Sequence, residues 1–160
     1  MHTVSKVITV ATLLAVSSSA FAAVRGFHAR AGNFASGLVA GVDVPLNAAG
    51  ATIVTFNLPA AGKKVLTFSA ECSVDAAAGN FGAWVDIDII VNGIVVPVTN
   101  QTADGFCSAD GTAGFSGWVR PSITVQVNGV LGNNTVRIRA KGQGGATGIW
   151  VSDTALMIHD

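Results

Sequence analysis

Trp84, Asp86 and Asp88 alternate along AWVDIDIIV (83–91), so on an extended chain all three share one face. An indole beside two carboxylates can hold a sugar: the ring stacks on its C–H face and the acids accept hydroxyl protons. Paired carboxylates also serve glycoside hydrolysis. Residues two apart on one strand, however, lie only about 6.5–7 Å apart along it and approach from the same side, whereas hydrolysis needs them flanking the bond. The structural alternative is cross-strand pairing of Asp86 and Asp88 with Arg137 and Arg139, worth about 0.2–1 kcal/mol per pair. Trp118, in GFSGWVRP, and Trp150, which opens the last strand, are further candidates for a sugar-binding rim and equally for core packing.

Other constellations carry less chemistry. Asp104 and Asp110, in TADGFCSADGTAG, each precede glycine and read as turn formers; calcium would need six or more oxygens. Whether a metal is bound stays open at this level, and no organic cofactor is expected. His28 and His159 stand near opposite ends of the chain and read as surface residues. GFSG lacks the final glycine of a nucleophile elbow, because Trp118 stands there. Lys63-Lys64 has neither the glycine run nor the helix of a phosphate loop. No catalytic residue is assigned.

These side chains need strands to position them, and the chain reads as strands throughout. Leu66, Phe68, Ala70, Cys72 and Val74 alternate with Val65, Thr67, Ser69, Glu71 and Ser73. Ala83, Val85, Ile87, Ile89 and Val91 alternate with Trp84, Asp86, Asp88 and Ile90, which puts the odd aliphatics inside and leaves the indole and both acids in water. The runs 54–58, 123–128 and 136–141 repeat the pattern. Asn92-Gly93 predicts a tight hairpin into Ile94–Val98. Asn128-Gly129 predicts another, with 130–134 as a longer loop, and Pro59–Gly62 separates two more strands. Turns every 8–12 residues and no helical periodicity predict an all-β antiparallel sandwich of eight to ten strands. A membrane barrel shares the alternation, but its aromatic girdles are missing: the chain has no Tyr and three Trp.

The first 22 residues read as an address. Lys6, the apolar run Val7–Val16, Ser17–Ser19 and Ala20-Phe21-Ala22 compose a secretory signal peptide cut after Ala22. The rival, an uncleaved anchor, needs a longer apolar run. The expected mature chain, 23–160, is one domain with no transmembrane segment, secreted or periplasmic. Its balance is 8 Lys+Arg against 9 Asp+Glu, since 9 and 9 in the whole chain lose only Lys6. So weak a basic content excludes nucleic acid as a partner and leaves a glycan or a protein surface. Cys72 and Cys107, an even pair in an exported chain, predict a disulfide; two free thiols or half a metal site are the alternatives.

The stretch LGNNTVRIRAKGQGGATGIWVSDTALMI (131–158) resembles the closing strands of jelly-roll carbohydrate-binding modules. Those carry an xGxNTV loop into a strand, then a glycine-rich loop, then a strand opening W-x-D-D. LPAAGKKVLTFSAEC (58–72) is similar to a strand-turn-strand opening of secreted jelly-roll domains. More loosely, the chain resembles small exported bacterial jelly-roll proteins. The resemblance implies a jelly roll and a carbohydrate ligand, while Ser152 replaces the first Asp of the motif and removes one ligand from a calcium site there.

Three functions follow as expectations. The first is a non-enzymatic extracellular interaction module, an adhesion, matrix or filament-type subunit, self-associating through edge strands, with the segment Val24–Val44 as a donated strand. The second is a carbohydrate-binding module using Trp84, Asp86, Asp88, Trp118 and Trp150. The third is a secreted glycan hydrolase.

Overall fold

The computed structural model describes residues 23–37, 39–97 and 105–160. The expected signal peptide and Asp104 lie outside the described residues. Among the described residues, twelve strands form two antiparallel sheets. In sheet A, β1 (Val24–Arg30) and β2 (Phe34–Ser36) pair with β12 (Gly148–His159), which pairs with β5 (Gly62–Ala76); β5 then takes β10 (Ser122–Gly129) and β9 (Gly114–Phe115). In sheet B, β3 (Val42–Asp43) and β4 (Ile53–Leu58) pair with β11 (Gly132–Gln143), which pairs with β6 (Trp84–Val91); β6 then takes β7 (Ile94–Val95) and β8 (Gly105–Ser108).

Eight of these strands carry the topology. β1 pairs with β12, β4 with β11, β5 with β10 and β6 with β8. First with last, second with second-last and so inward, the chain is one long hairpin rolled into two layers, which is the jelly roll. The eight principal strands meet the expected number, and the short β2, β3, β7 and β9 bring the total to twelve.

The alternating residues meet between the layers. Leu66, Phe68, Val74, Ile149, Leu156 and Ile158 from sheet A pack against Phe56, Leu58, Val85, Ile89 and Ile138 from sheet B. Phe68 of β5 stacks on Phe106 of β8, ring centroids 5.6 Å apart, across the interior. Cys72 of β5 and Cys107 of β8 form the expected disulfide, a covalent tie between the sheets that closes a separation of 35 residues. Among the described residues no helix is long and apolar enough to cross a membrane.

The turns follow their chemistry at one place and depart from it at another. Asn92 and Gly93 have φ of 51° and 81°, the left-handed pair of a two-residue hairpin. At 128–134, β10 runs through Asn128-Gly129 and the turn falls at Val130-Leu131 instead. The anchor is Asn134, which is buried: its Oδ1 accepts from Val130 N at 2.8 Å, and its Nδ2 donates to the carbonyls of Val130 and Gly132. Gly129 is needed for packing, since a Cβ there would meet Leu58 Cδ1 at 2.4 Å.

Val24–Val44, the segment expected as a donated strand, supplies β1, β2 and β3, each paired here within its own chain. Ser152 and Asp153 sit at a bulge in β12, where Asp153 has φ 46°. Ser152 Oγ donates to Asn33 Oδ1, and Asp153 Oδ1 accepts from Gly32 N, so both hold the β1–β2 turn.

Candidate functional site

The five residues singled out in the sequence divide between the outer faces of opposite sheets. Trp84, Asp86 and Asp88 lie on sheet B. The odd aliphatics of β6 do face the core, as expected, but the other face is not wet: Asp86 is 1% exposed and Asp88 2%. Residues 39–43 run along the edge of β11, where Val42 and Asp43 pair with Ala140 and Arg139. Gly142 N donates to Val39 O, and Gly41 has so little room that a Cβ would stand 3.2 Å from Arg139 Cδ and 3.5 Å from Lys141 Cγ. Gly41 thus leaves room for the Arg139 and Lys141 side chains beside it.

Asp43 at that edge changes the expected ion pairs. Asp43, in register with Arg139, holds Arg137 at 3.3 Å and Arg139 at 3.4 Å. Lys141, in register with Asp86, is left to the acids: its Nζ is 2.6 Å from Asp88 and 3.9 Å from Asp86. Trp84 is half-buried under the glycine-rich turn. A Cβ on Gly144, at φ 61°, would stand 2.7 Å from the indole Cζ3 and collide with Gly82 O. The expected open surface of one indole and two acids is thus a covered, ion-paired face. Sequence alternation shows which residues share a face, not what a distant segment lays over it.

Trp118 and Trp150 come together on sheet A. Trp150, on β12, faces outward between Ser73 of β5 and Ala35 of β2. Its Nε1 donates to Asp75 Oδ2 at 3.1 Å. The ring of Phe115, on β9 beside Asp75, stands edge-on to Trp150 with centroids 5.7 Å apart and edge-on to Trp118 at 5.4 Å. Phe115 is 43% exposed and Trp118 37% exposed, so two rings of the three meet solvent while the third is half-buried beneath them.

The loop that carries Phe115 and Trp118 is held from below. Asp110 Oδ1 accepts from Thr112 N at 2.9 Å, and its Oδ2 accepts from Gly117 N at 3.4 Å. The Thr112 backbone N–H first, then the Thr112 hydroxyl and the Gly117 N–H, hold this carboxyl below the ordinary Asp range. Asp110 is thus the turn former it was expected to be. Ser73 Oγ donates to the carbonyl of the buried Ser116 at 2.5 Å, tying the loop to β5. The Cys72–Cys107 bridge ties the start of the loop to β5, and a backbone bridge between Cys72 and Val119 ties its end to the same strand.

Beside Trp150 lies a cleft of about 200 Å³ lined by Ala35, Ser36, Gly37, Asp75, Thr147, Gly148 and Trp150. Asp75 Oδ1 is buried here without a hydrogen-bond partner, an acceptor left over after Oδ2 has taken the indole. Gly148 keeps the approach open, since a Cβ would meet Asp75 Oδ2 at 2.8 Å. Across the aromatic patch, Arg120 donates to Glu71 Oε1 from Nε at 2.9 Å and from a terminal nitrogen at 2.5 Å. That bond holds the guanidinium more firmly protonated than usual.

Phe115 and Asp75 were not singled out in the sequence. Phe115 stands three residues before Trp118, which is a visible aromatic signal. Asp75 continues the outward series Glu71 and Ser73, but only the β5–β12 register shows that it meets Trp150. Of the two histidines, His28 and His159 are each half-buried rather than fully exposed.

No protein-family model matches the chain, and no curated protein matches it. Among solved structures, the chain is similar to the native structure of a family 35 carbohydrate binding module from Clostridium thermocellum. Identity is 17%, coverage 78% of this chain and 90% of that one, and the TM-score 0.34.

Proposed function

We propose that the protein is an extracellular β-sandwich module that binds a neutral glycan on the outer face of sheet A, at Trp118, Phe115, Trp150 and the cleft beside Asp75. One observation carries the reading. Three aromatic rings are assembled by distant parts of the chain into a half-exposed cluster, and the innermost is fixed by a carboxylate. Stacking surface plus oriented acceptors is what a sugar ring requires. A hydroxyl entering beside Gly148 is the group that would satisfy Asp75 Oδ1. Beyond the Asp75 carboxylate, which disfavours an anion, the flanking Arg120 and Glu71 neutralise one another.

The reading is of binding rather than turnover. Asp86 and Asp88 are covered and held by Lys141, not set on either side of a cleft. An adhesion, matrix or filament-type role is the second reading. It is favoured by the open edge of β10, taken up below.

A glycan array with the mature protein, followed by calorimetry on the best ligand, tests the proposal. Trp118→Ala should weaken binding by about 2 kcal/mol, as for a central aromatic anchor, or roughly thirtyfold in Kd. Trp84→Ala should leave binding unchanged wherever the fold is retained. Binding to no glycan, or binding indifferent to Trp118 and Phe115, sinks the reading.

A further inference from the structure

The two flanks of the sandwich are finished differently. On one, β1 lies against β4. His28 closes the gap there, with Nε2 3.4 Å from Thr55 O and its ring edge-on to Phe56 at 4.9 Å. On the other flank, β10 at the edge of sheet A and β7 at the edge of sheet B face a cleft of about 270 Å³. Its apolar lining includes Val91, Ile94, Val96, Val127 and Val130.

β10 also lacks the usual guards of an edge strand. Ser122–Gly129 contains no charge and no proline, and its register with β5 is unbroken over all eight residues. β1, the opposite edge of the same sheet, carries Arg25 and Arg30 and a bulge between Val24 and Gly26. Alternate residues of β10 turn their N–H and C=O groups away from β5, to a side where no strand pairs among the described residues. At the end of the strand, the Asn134 anchor holds the turn so that Val130 and Leu131 point into solvent, near the exposed Ile94.

We propose that β10 pairs antiparallel with β10 of a second copy of this chain about a two-fold axis, joining two A sheets into one. Directly opposed residues in such a pair must share a face, so even residues oppose even and odd oppose odd. Centred on Gln126, the pairing sets Gln126 against Gln126, Thr124 against Asn128, and Val125 against Val127. Polar residues meet on the outer side and valines on the core side, with no charge opposed to a like charge. The mature chain, with 8 Lys+Arg against 9 Asp+Glu once Lys6 is lost, is close to neutral, so long-range repulsion between copies is weak. A foreign strand would find no charge on β10 to select it. The inference is independent of the glycan reading, and Trp118→Ala should leave pairing unchanged.

Sedimentation velocity on the mature protein from about 1 to 500 µM tests it, because a dimer in this affinity range is then resolved. A concentration-dependent dimer is expected. Gln126→Lys places two ammonium groups at the axis and should weaken the dimer by at least about tenfold. Gln126→Glu should do the same, and mixing the two variants should restore a heterodimer. Gln126 is exposed in the monomer, and an unchanged melting curve at low concentration confirms that its variants fold. Thr55→Lys, on the closed flank, should have no effect. A monomer at every concentration, a dimer indifferent to Gln126→Lys, or oppositely charged variants that fail to re-pair overturns the proposal.

Discussion

The indole Nε1 of Trp150 donates to Oδ2 of Asp75 at 3.1 Å, and these two residues are 75 apart in sequence. The bond exists because Gly148, paired with Asp75, has no Cβ to displace the carboxylate. Asp75→Ala should therefore cost about 1–3 kcal/mol in denaturant unfolding, since a half-buried indole N–H loses its acceptor. Asp75→Asn keeps an acceptor for the indole and should cost less. If both substitutions are neutral, Trp150 is held by packing alone.

The disulfide invites a separate measurement. Cys72 and Cys107 tie β5 to β8 across the core, with Cα atoms 6.0 Å apart. Closing a separation of 35 residues restricts the unfolded chain, so Cys72→Ala with Cys107→Ala should lower stability by roughly 3–4 kcal/mol. The melting curve of reduced wild type should approach that of the double variant. A loss well under about 1 kcal/mol would mean that the aromatic loop is held without the bridge.

Lys141 is the only cation within 4 Å of Asp86 and Asp88 among the described residues. Removing one partner of a largely buried pair leaves an uncompensated charge. Lys141→Ala should destabilise by roughly 2–4 kcal/mol, and adding Asp88→Asn should recover part of that loss. Additive losses in the double-mutant cycle would show that Nζ and the Asp88 carboxylate are not coupled.

How much of this was legible in the sequence can be read from particular residues. Alternation correctly placed Ala83, Val85, Ile87 and Ile89 in the core, because period two reports the strand's own geometry. An expected export signal and an even cysteine pair sufficed for the bridge. The jelly roll was legible from strand spacing and from the likeness of the closing segment. The state of Asp86 and Asp88 was not, because it depends on β3 pairing with β11, so that Asp43 captures both arginines and Lys141 is left to the acids. Trp118 and Trp150 were visible as types, while their meeting through Phe115 depends on β9 docking beside β5. Register between distant strands is a tertiary property, and no local pattern encodes it.

The Asp160 carboxylate accepts from the Arg25 guanidinium and from Lys64 Nζ, clasping β1 and β5 to the end of β12. The Arg25 hydrogen bonds first, then the Lys64 bond, hold its pKa down at about 2, below the ordinary 3.8. A carboxyl with a depressed folded pKa stabilises the fold above its unfolded value, and that contribution is lost as pH falls through the folded one. The clasp should therefore be fully present above pH 3.8 and fade toward about 2. NMR titration of the Asp160 side chain should give a midpoint near 2, and Arg25→Gln should move it upward. Asp160→Asn should remove this part of the acid dependence while leaving stability near neutral pH only slightly lower, since the group is exposed and water screens the pair. A midpoint at the ordinary value in wild type would show that the clasp is open in solution, with β1 held to β12 by its backbone ladder alone.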